Sequence, residues 1–223
     1  MVIKKRCLLW DYTNTNDCPG QMDKVNFNGP ISSVSNWNAW TPPELKGRAP
    51  FRPMIHLEHE LSGDPWKWIS ESKEPIVVPT LRDQHHKKLV SPSYASDPAG
   101  QKWISEFISL VKDSLPDFLG LHWYGDSADE AQGYIDTMHK KFLNHKVIVP
   151  EIACISRNQK DCYAFTQKMC NWMDDQNFVF EYAFFGCMKN MPDDYVSPEA
   201  RLMNPDGSFT DSMNKYMNAQ PWN

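Results

Sequence analysis

Short runs of strand-forming residues alternate along this chain with segments whose apolar residues recur every three or four positions. Such alternation is typical of βα units around a parallel sheet. Apolar stripes predict helices over residues 101–112, 128–142 and 162–173. Strands are predicted at residues 7–10, 31–36, 52–57, 76–78, 88–93, 118–122, 146–151 and 180–185. Eight strands with intervening helices predict an α/β fold, a (β/α)8 TIM barrel, with residues 1–223 forming a single domain.

The connection between the fourth and fifth predicted strands is too short for this fold. Nine residues, 79–87, separate them, whereas a parallel crossover normally needs about a dozen or more and usually contains a helix. The 223-residue chain is also shorter than the roughly 250 residues typical of such barrels. Either residues 76–78 are not a barrel strand, or the loop and most of the helix after strand four are lost. The length favours a barrel truncated at its fourth βα unit.

Charge and hydropathy limit the possible partners. The net charge is −5 and the pI about 5.8, with no basic stripe, which argues against nucleic acid. The sequence contains no run of about 18 apolar residues, so no membrane span is predicted. The first apolar stretch ends at Asp11, too early for a signal-peptide core, so an intracellular location is favoured unless a signal has been removed. We expect a monomer with an uncharged or weakly charged substrate.

Neither a metal nor another cofactor is expected. His56, Glu58, His59 and Glu60 lie close together, but their HxxH spacing differs from the HExxH helix motif, and a solvated polar loop is the favoured interpretation. The six cysteines form no CxxC pair, which argues against structural zinc and favours free thiols. One disulfide among Cys154, Cys162 and Cys170 is the alternative for an exported protein.

Reactive side chains follow the apolar runs of two predicted strands. Glu151 follows residues 147–150, while His122, Trp123 and Tyr124 follow residues 118–121. The carboxyl ends of barrel strands share one rim, so Glu151 suits a nucleophile in glycoside hydrolysis, with a structural salt bridge as the alternative. If His122 faces inward, so does Tyr124, and Trp123 lies outside or folds over the rim. The alternative for His122 is a structural histidine in the core whose ring nitrogens are hydrogen-bonded.

The segment after the second strand contains further candidate sugar-binding residues. Asn36 and Asn38 supply amides, which bind hydroxyls, and Trp37 and Trp40 supply indoles, which stack on sugar faces. The alternative is a turn with asparagine in a special backbone geometry and tryptophan in the core. A retaining glycosidase also needs a second carboxyl about 5 Å from the nucleophile. Strand four offers none, and Glu58 and Glu60 are weak substitutes.

Six motifs, in order, resemble glycoside hydrolase family 128. These are fungal-type endo-β-1,3-glucanases, also described as alkali-sensitive-linkage-protein-like glycosyl hydrolase catalytic domains. The motifs are LLWDYTN at 8–14, SNWNAW at 35–40, LVSPS at 89–93, LGLHWYG at 119–125, PEIA at 150–153 and YAFFG at 182–186. The likeness continues through DGSF at 206–209 and KYM at 215–217, so it spans nearly the whole chain.

The resemblance implies a (β/α)8 barrel that cleaves β-1,3-glucan of the fungal cell wall with retention and is often secreted or attached to the wall. It implies Glu151 as the nucleophile and an acid/base glutamate in an Asn-Glu-Pro motif after strand four. That motif is absent here. In the family it lies between segments that resemble residues 74–77 and 78–82, which this chain joins directly.

Three hypotheses follow from the missing segment. The chain could still hydrolyse glucan with Glu58 or Glu60 as the acid. It could instead be a non-catalytic glucan-binding protein that keeps Trp37, Trp40, Trp123 and Tyr124. It could also fail to fold stably, because a lost barrel helix exposes the core surface of its neighbours. We expect weak or absent hydrolysis.

Overall fold

The computed structural model describes residues 2–56, 58–71, 76–77, 87–143, 145–192 and 194–223. Its strands are β1 (Arg6–Leu9), β2 (Ile31–Ser35), β3 (Ile76–Val77), β4 (Lys88–Leu89), β5 (Phe118–Gly125), β6 (Lys146–Cys154) and β7 (Val179–Phe184). Its α-helices are α1 (Asn14–Asp17), α2 (Gly63–Glu71), α3 (Pro98–Leu110), α4 (Ala128–Lys141), α5 (Gln159–Asp175) and α6 (Asp211–Asn218). Short 3-10 helices span Gln21–Lys24, Pro43–Leu45, Glu58–Leu61 and Pro198–Ala200.

Parallel strands form an incomplete barrel. Five of them are paired in the order β2-β1-β7-β6-β5, and β3 pairs with β4 separately. Single parallel bridges extend the larger sheet at both edges, from Val34 to Phe51 and from Phe118 to Val90, the residue after β4. Among the described residues no pairing joins Phe51 to β3, so the barrel is not closed. The prediction of a truncated α/β barrel is confirmed.

Two predicted strands are shorter than expected. Residues 52–56 form no strand, and only Phe51 pairs there, while residue 57 lies outside the described part. The predicted strand at 88–93 ends at Leu89, with a bridge at Val90. Pro53 and Pro92 explain both results, because proline has no N–H to donate to a neighbouring strand.

The short crossover is present in the fold. Ile76 pairs in parallel with Lys88, and Val77 with Leu89, so residues 76–77 do form a strand. Ten residues, 78–87, separate the two strands, and of these residues 78–86 lie outside the described part. A parallel connection of this length is below the usual minimum, as the sequence indicated.

Side-chain caps define where the long helices begin. Asp97 accepts a hydrogen bond from the Gly100 N–H, and Pro98 occupies the first turn, which places the start of α3 before the predicted residue 101. Ser127 and Asn158 cap α4 and α5 in the same way. The helices pack their apolar faces on the outside of the sheet, against Leu8, Leu119, Val147 and other buried strand residues.

All six cysteines are buried and unpaired in the structure. Cys154, at the end of β6, shares a hydrogen bond with Cys162 in α5, which lowers the pKa of the Cys154 thiol. Of the helices described, none combines the length and the apolar character that a membrane crossing requires.

Candidate active site

A bulge in β6 turns Glu151 toward the inside of the sheet. Val147 and Val149 are buried on the helix-facing side, and strict alternation would send Glu151 to that side as well. However, Gly120 pairs with Ile148 and His122 pairs with Glu151, so β6 advances three residues where β5 advances two. Such a bulge re-aims the following side chain. Pro150, which donates no hydrogen bond, lies within it and is the sequence signal for the irregularity.

Two donors hold the carboxylate of Glu151. The indole Nε1 of Trp37 donates to Oε2 at 2.8 Å, and the hydroxyl of Tyr124 donates to Oε1. Burial, followed by the negative charge of Glu151, raises the pKa of Tyr124, so its hydroxyl keeps its proton. Hydrogen bonds to a charged acceptor are the stronger kind, and these two orient both carboxylate oxygens.

The loop after β2 places the indole of Trp37. Trp37 has φ of 58°, in the left-handed region that non-glycine residues rarely adopt. His56 Nε2 donates to the Trp37 carbonyl at 2.6 Å. The fully buried Asn36 accepts from the N–H of Asn38 and donates to the carbonyl of Trp40. These bonds offset the cost of the unusual backbone conformation.

His122 lies beside Glu151 on the neighbouring strand and lines the same cavity. Burial lowers the pKa of His122, and the nearby Glu151 carboxylate opposes this shift only in part. A neutral imidazole offers one donor and one acceptor. A ring of this kind on a cavity wall can bind a sugar hydroxyl.

The cavity next to Glu151 has a volume of about 520 Å³ and contains a second carboxylate. Glu181, which is 3% exposed, forms a two-point ion pair with Arg52, at 2.9 Å from Nε and 3.0 Å from Nη2. Ser32 donates to it as well, at 2.8 Å. Glu181 is therefore already engaged with a cation. Sequence reasoning missed this residue, although a glutamate inside an apolar strand is a signal that a partner is needed.

The predicted site residues divide into two groups. Trp37, His122, Tyr124 and Glu151 come together as described. Trp123 lies on the opposite face of β5, where its ring centroid is 5.5 Å from that of Tyr134 in α4, and it does not line the cavity. Asn36 and Trp40 do not line the cavity, and both serve the loop that carries Trp37.

The two weak substitutes for the acid are placed differently from Glu151. Glu60 Oε2 accepts a hydrogen bond from the backbone N–H of His56 at 2.6 Å and is not part of the cavity wall. Glu58 begins a 3-10 helix, and its side chain lies outside the described part of the structure. In the portion of the chain described here, no three His, Cys, Asp or Glu side chains converge as metal ligands would.

Comparison with known proteins gives consistent matches. A family model described as a glycosyl hydrolase catalytic core matches residues 74–216. The crystal structure of a glycoside hydrolase family 128 (subgroup VI) exo-β-1,3-glucanase from Aureobasidium namibiae is 49% identical, with a TM-score of 0.96 over 100% of this chain and 99% of its own. A subgroup VII oligosaccharide-binding protein from Cryptococcus neoformans is 17% identical, with a TM-score of 0.66 over 96% of this chain and 92% of its own, which is a likeness of fold.

A curated protein also matches in sequence. Alkali-sensitive linkage protein 1 of Schizosaccharomyces pombe is 26% identical over 102 residues, which are 41% of this chain and 19% of that protein. The chain therefore matches about a fifth of the length of this relative. The family model and the 49% identity over almost all of both chains show that this chain belongs to glycoside hydrolase family 128.

Proposed function

We propose that this chain binds β-1,3-glucan in the cavity beside Glu151, and that Glu151 is the nucleophile for the anomeric carbon. The observation that carries the proposal is the orientation of Glu151, whose two oxygens accept from Trp37 and Tyr124 at the cavity wall. A carboxylate held in this way has little freedom to lose when it attacks. The 49% identity to an exo-β-1,3-glucanase supports the choice of substrate.

The reaction begins with attack by a Glu151 oxygen on the anomeric carbon. A glycosyl ester bond forms, the bond from that carbon to the leaving oxygen breaks, and the leaving oxygen takes the electron pair. Water later cleaves the ester, which releases the sugar and restores the carboxylate. His122, kept neutral by burial, is suited to hold a hydroxyl of the reacting sugar.

The leaving oxygen needs a proton that the described cavity wall does not supply from a free carboxyl. The carboxylates among the described wall residues are Glu151 and Glu181, and Glu181 is bound to Arg52. General acid assistance typically contributes about 10²- to 10⁴-fold in rate. We therefore propose that natural glucan is cleaved slowly, while substrates with a good leaving group form the glycosyl ester readily.

Cleavage from a chain end is the second part of the proposal. The family resemblance alone implied an endo-glucanase, whereas the relative with 49% identity is an exo-enzyme. We propose exo action on that support. Digestion of a long β-1,3-glucan should release short sugars without an early fall in polymer length, and a rapid early fall would instead indicate endo action.

The test compares two substrates on two variants. The wild-type chain and Glu151→Gln receive laminarin and, separately, an aryl β-laminaribioside with a leaving group of low pKa. We expect the wild type to cleave the aryl glycoside at least about 10²-fold faster than laminarin. Glu151→Gln should cleave neither. Equal activity of both variants on the aryl glycoside would contradict the role of Glu151.

A non-catalytic oligosaccharide-binding role is the second candidate. The observation in its favour is the ion pair between Glu181 and Arg52. It leaves Glu151 as the one carboxylate on the described cavity wall that has no ion-pair partner there. This role predicts that laminari-oligosaccharides bind the wild type and Glu151→Gln alike, and that the aryl glycoside is not cleaved. Turnover of the aryl glycoside that depends on Glu151 would exclude it.

A further inference from the structure

A row of aromatic rings leads from the Glu151 site to the protein surface. The ring centroids of Trp37 and Phe185 are 5.5 Å apart, and those of Phe185 and Tyr124 are 6.3 Å apart. Tyr124 then contacts Tyr195 edge-on, at 5.5 Å. Tyr195 is 62% exposed, so the row begins at the residues that hold Glu151 and ends at an open ring.

The backbone around Tyr195 is tied to the loop that follows β6. Arg157 donates to the Asp194 carbonyl at 2.6 Å, and the Asp194 side chain accepts from the Tyr195 N–H at 2.6 Å. Ser197 donates to the Ser156 carbonyl, also at 2.6 Å. A ring on an anchored segment loses little conformational entropy when a ligand binds to it.

We propose that Tyr195 forms a further sugar-binding subsite at the rim of the cavity, where its exposed ring stacks on a glucosyl unit outside the reacting one. This inference rests on the proposed function, because it takes β-1,3-glucan as the ligand. A single exposed aromatic residue is ordinary on a protein surface. Tyr195 differs because its ring contacts Tyr124, which itself binds the proposed nucleophile. Pyranose rings have apolar faces that suit an aromatic platform.

The subsite predicts that Tyr195 contributes to binding only when the oligosaccharide is long enough to reach it. Dissociation constants for laminaribiose through laminarihexaose would be measured by calorimetry in the Glu151→Gln background, which prevents turnover. Adding Tyr195→Ala should weaken binding of the longer oligosaccharides about 3- to 10-fold and leave laminaribiose unchanged. Adding Tyr195→Phe, which keeps the ring, should change binding less than about twofold. Trp103→Ala is the matched control, since Trp103 is 47% exposed but lies on α3, outside the sheet.

The outcomes separate this inference from the function on which it rests. If the parent variant binds the longer oligosaccharides and Tyr195→Ala binds them equally well, the subsite is wrong. Equal weakening at every length would also overturn it, because that result indicates an indirect effect through Tyr124. If the folded parent variant, checked by circular dichroism, binds no oligosaccharide, the proposed function is wrong and the subsite fails with it.

Discussion

The strands on the two sides of β5 differ greatly in extent. On one side, β5 and β6 pair at seven register positions, from Phe118 with Lys146 to Gly125 with Cys154. On the other side, β4 meets β5 through the single bridge at Val90 and pairs with β3 at two positions. The proposed nucleophile lies on the long pair, whereas the family resemblance places the acid/base after strand four. The proposed nucleophile and the acid/base position that the resemblance implies therefore belong to regions with different extents of strand pairing.

The largest expected effect concerns the ion pair that holds Arg52 to the larger sheet at the cavity wall. Arg52 follows the bridging residue Phe51, and Glu181 lies on β7. Arg52→Met leaves a buried carboxylate without its cation, so the free energy of unfolding should fall by about 3–5 kcal/mol. The double variant Arg52→Met/Glu181→Leu should recover much of this loss in urea titrations. Equal stability of the wild type and Arg52→Met would show that the ion pair does not hold the Arg52 segment to the larger sheet.

Amide hydrogen exchange gives the next largest effect. The N–H groups of β3 and β4 belong to two-residue strands, and local opening should expose them more easily than those of β5 and β6. We expect exchange in residues 76–77 and 88–89 to be about 10²-fold faster than in the centres of β5 and β6, measured by mass spectrometry at one pH. Equal protection would mean that the structure unfolds as one unit and that the contrast between the regions has no energetic basis.

A matched pair of tryptophan variants tests the nucleophile region alone. Trp37→Phe removes the donor to Glu151 and should lower kcat on the aryl glycoside about 10- to 100-fold, since a hydrogen bond to a charged group is lost. Trp123→Phe makes the same chemical change on the opposite face of β5, where Nε1 has no partner in the described structure. It should leave kcat within about twofold. Similar losses in both variants would indicate a general effect on the fold.

The smallest expected effect is on the pH dependence of the free energy of unfolding. Burial places the pKa of His122 below its ordinary value of 6.5, so the unfolded chain binds more protons than the folded chain as the pH falls through this range. The stability that comes from a neutral His122 is therefore present above pH 6.5 and decreases at lower pH. His122→Gln should reduce the slope of unfolding free energy against pH between about 7 and 5. An unchanged slope would mean that His122 titrates alike in both states.

The sequence predicted the parts of this molecule that depend on local pattern. The strand and helix alternation, the short crossover and the positions of His122 and Tyr124 all follow from periodicity and from the properties of parallel strands. Other parts depend on pairing between distant residues. The β6 bulge reverses the side to which Glu151 points. Trp37, with its left-handed backbone, supplies a donor from the loop after β2, and Glu181 pairs with Arg52, which is 129 residues away in sequence. None of these contacts has a local signature beyond Pro150 and the isolated glutamate.

The central claim is that Glu151 is an oriented nucleophile and that the described cavity wall holds no free carboxyl to act as its acid/base partner. Azide tests both parts together. The wild-type chain would be given an aryl β-laminaribioside with and without sodium azide. A burst of phenol followed by slow turnover is predicted, because the proposed nucleophile forms the glycosyl ester and the described cavity wall offers no free carboxylate to activate the water that cleaves it. Azide, which needs no base, should speed turnover and give a β-glycosyl azide. Fast turnover of laminarin, with no burst and no effect of azide, would contradict the account.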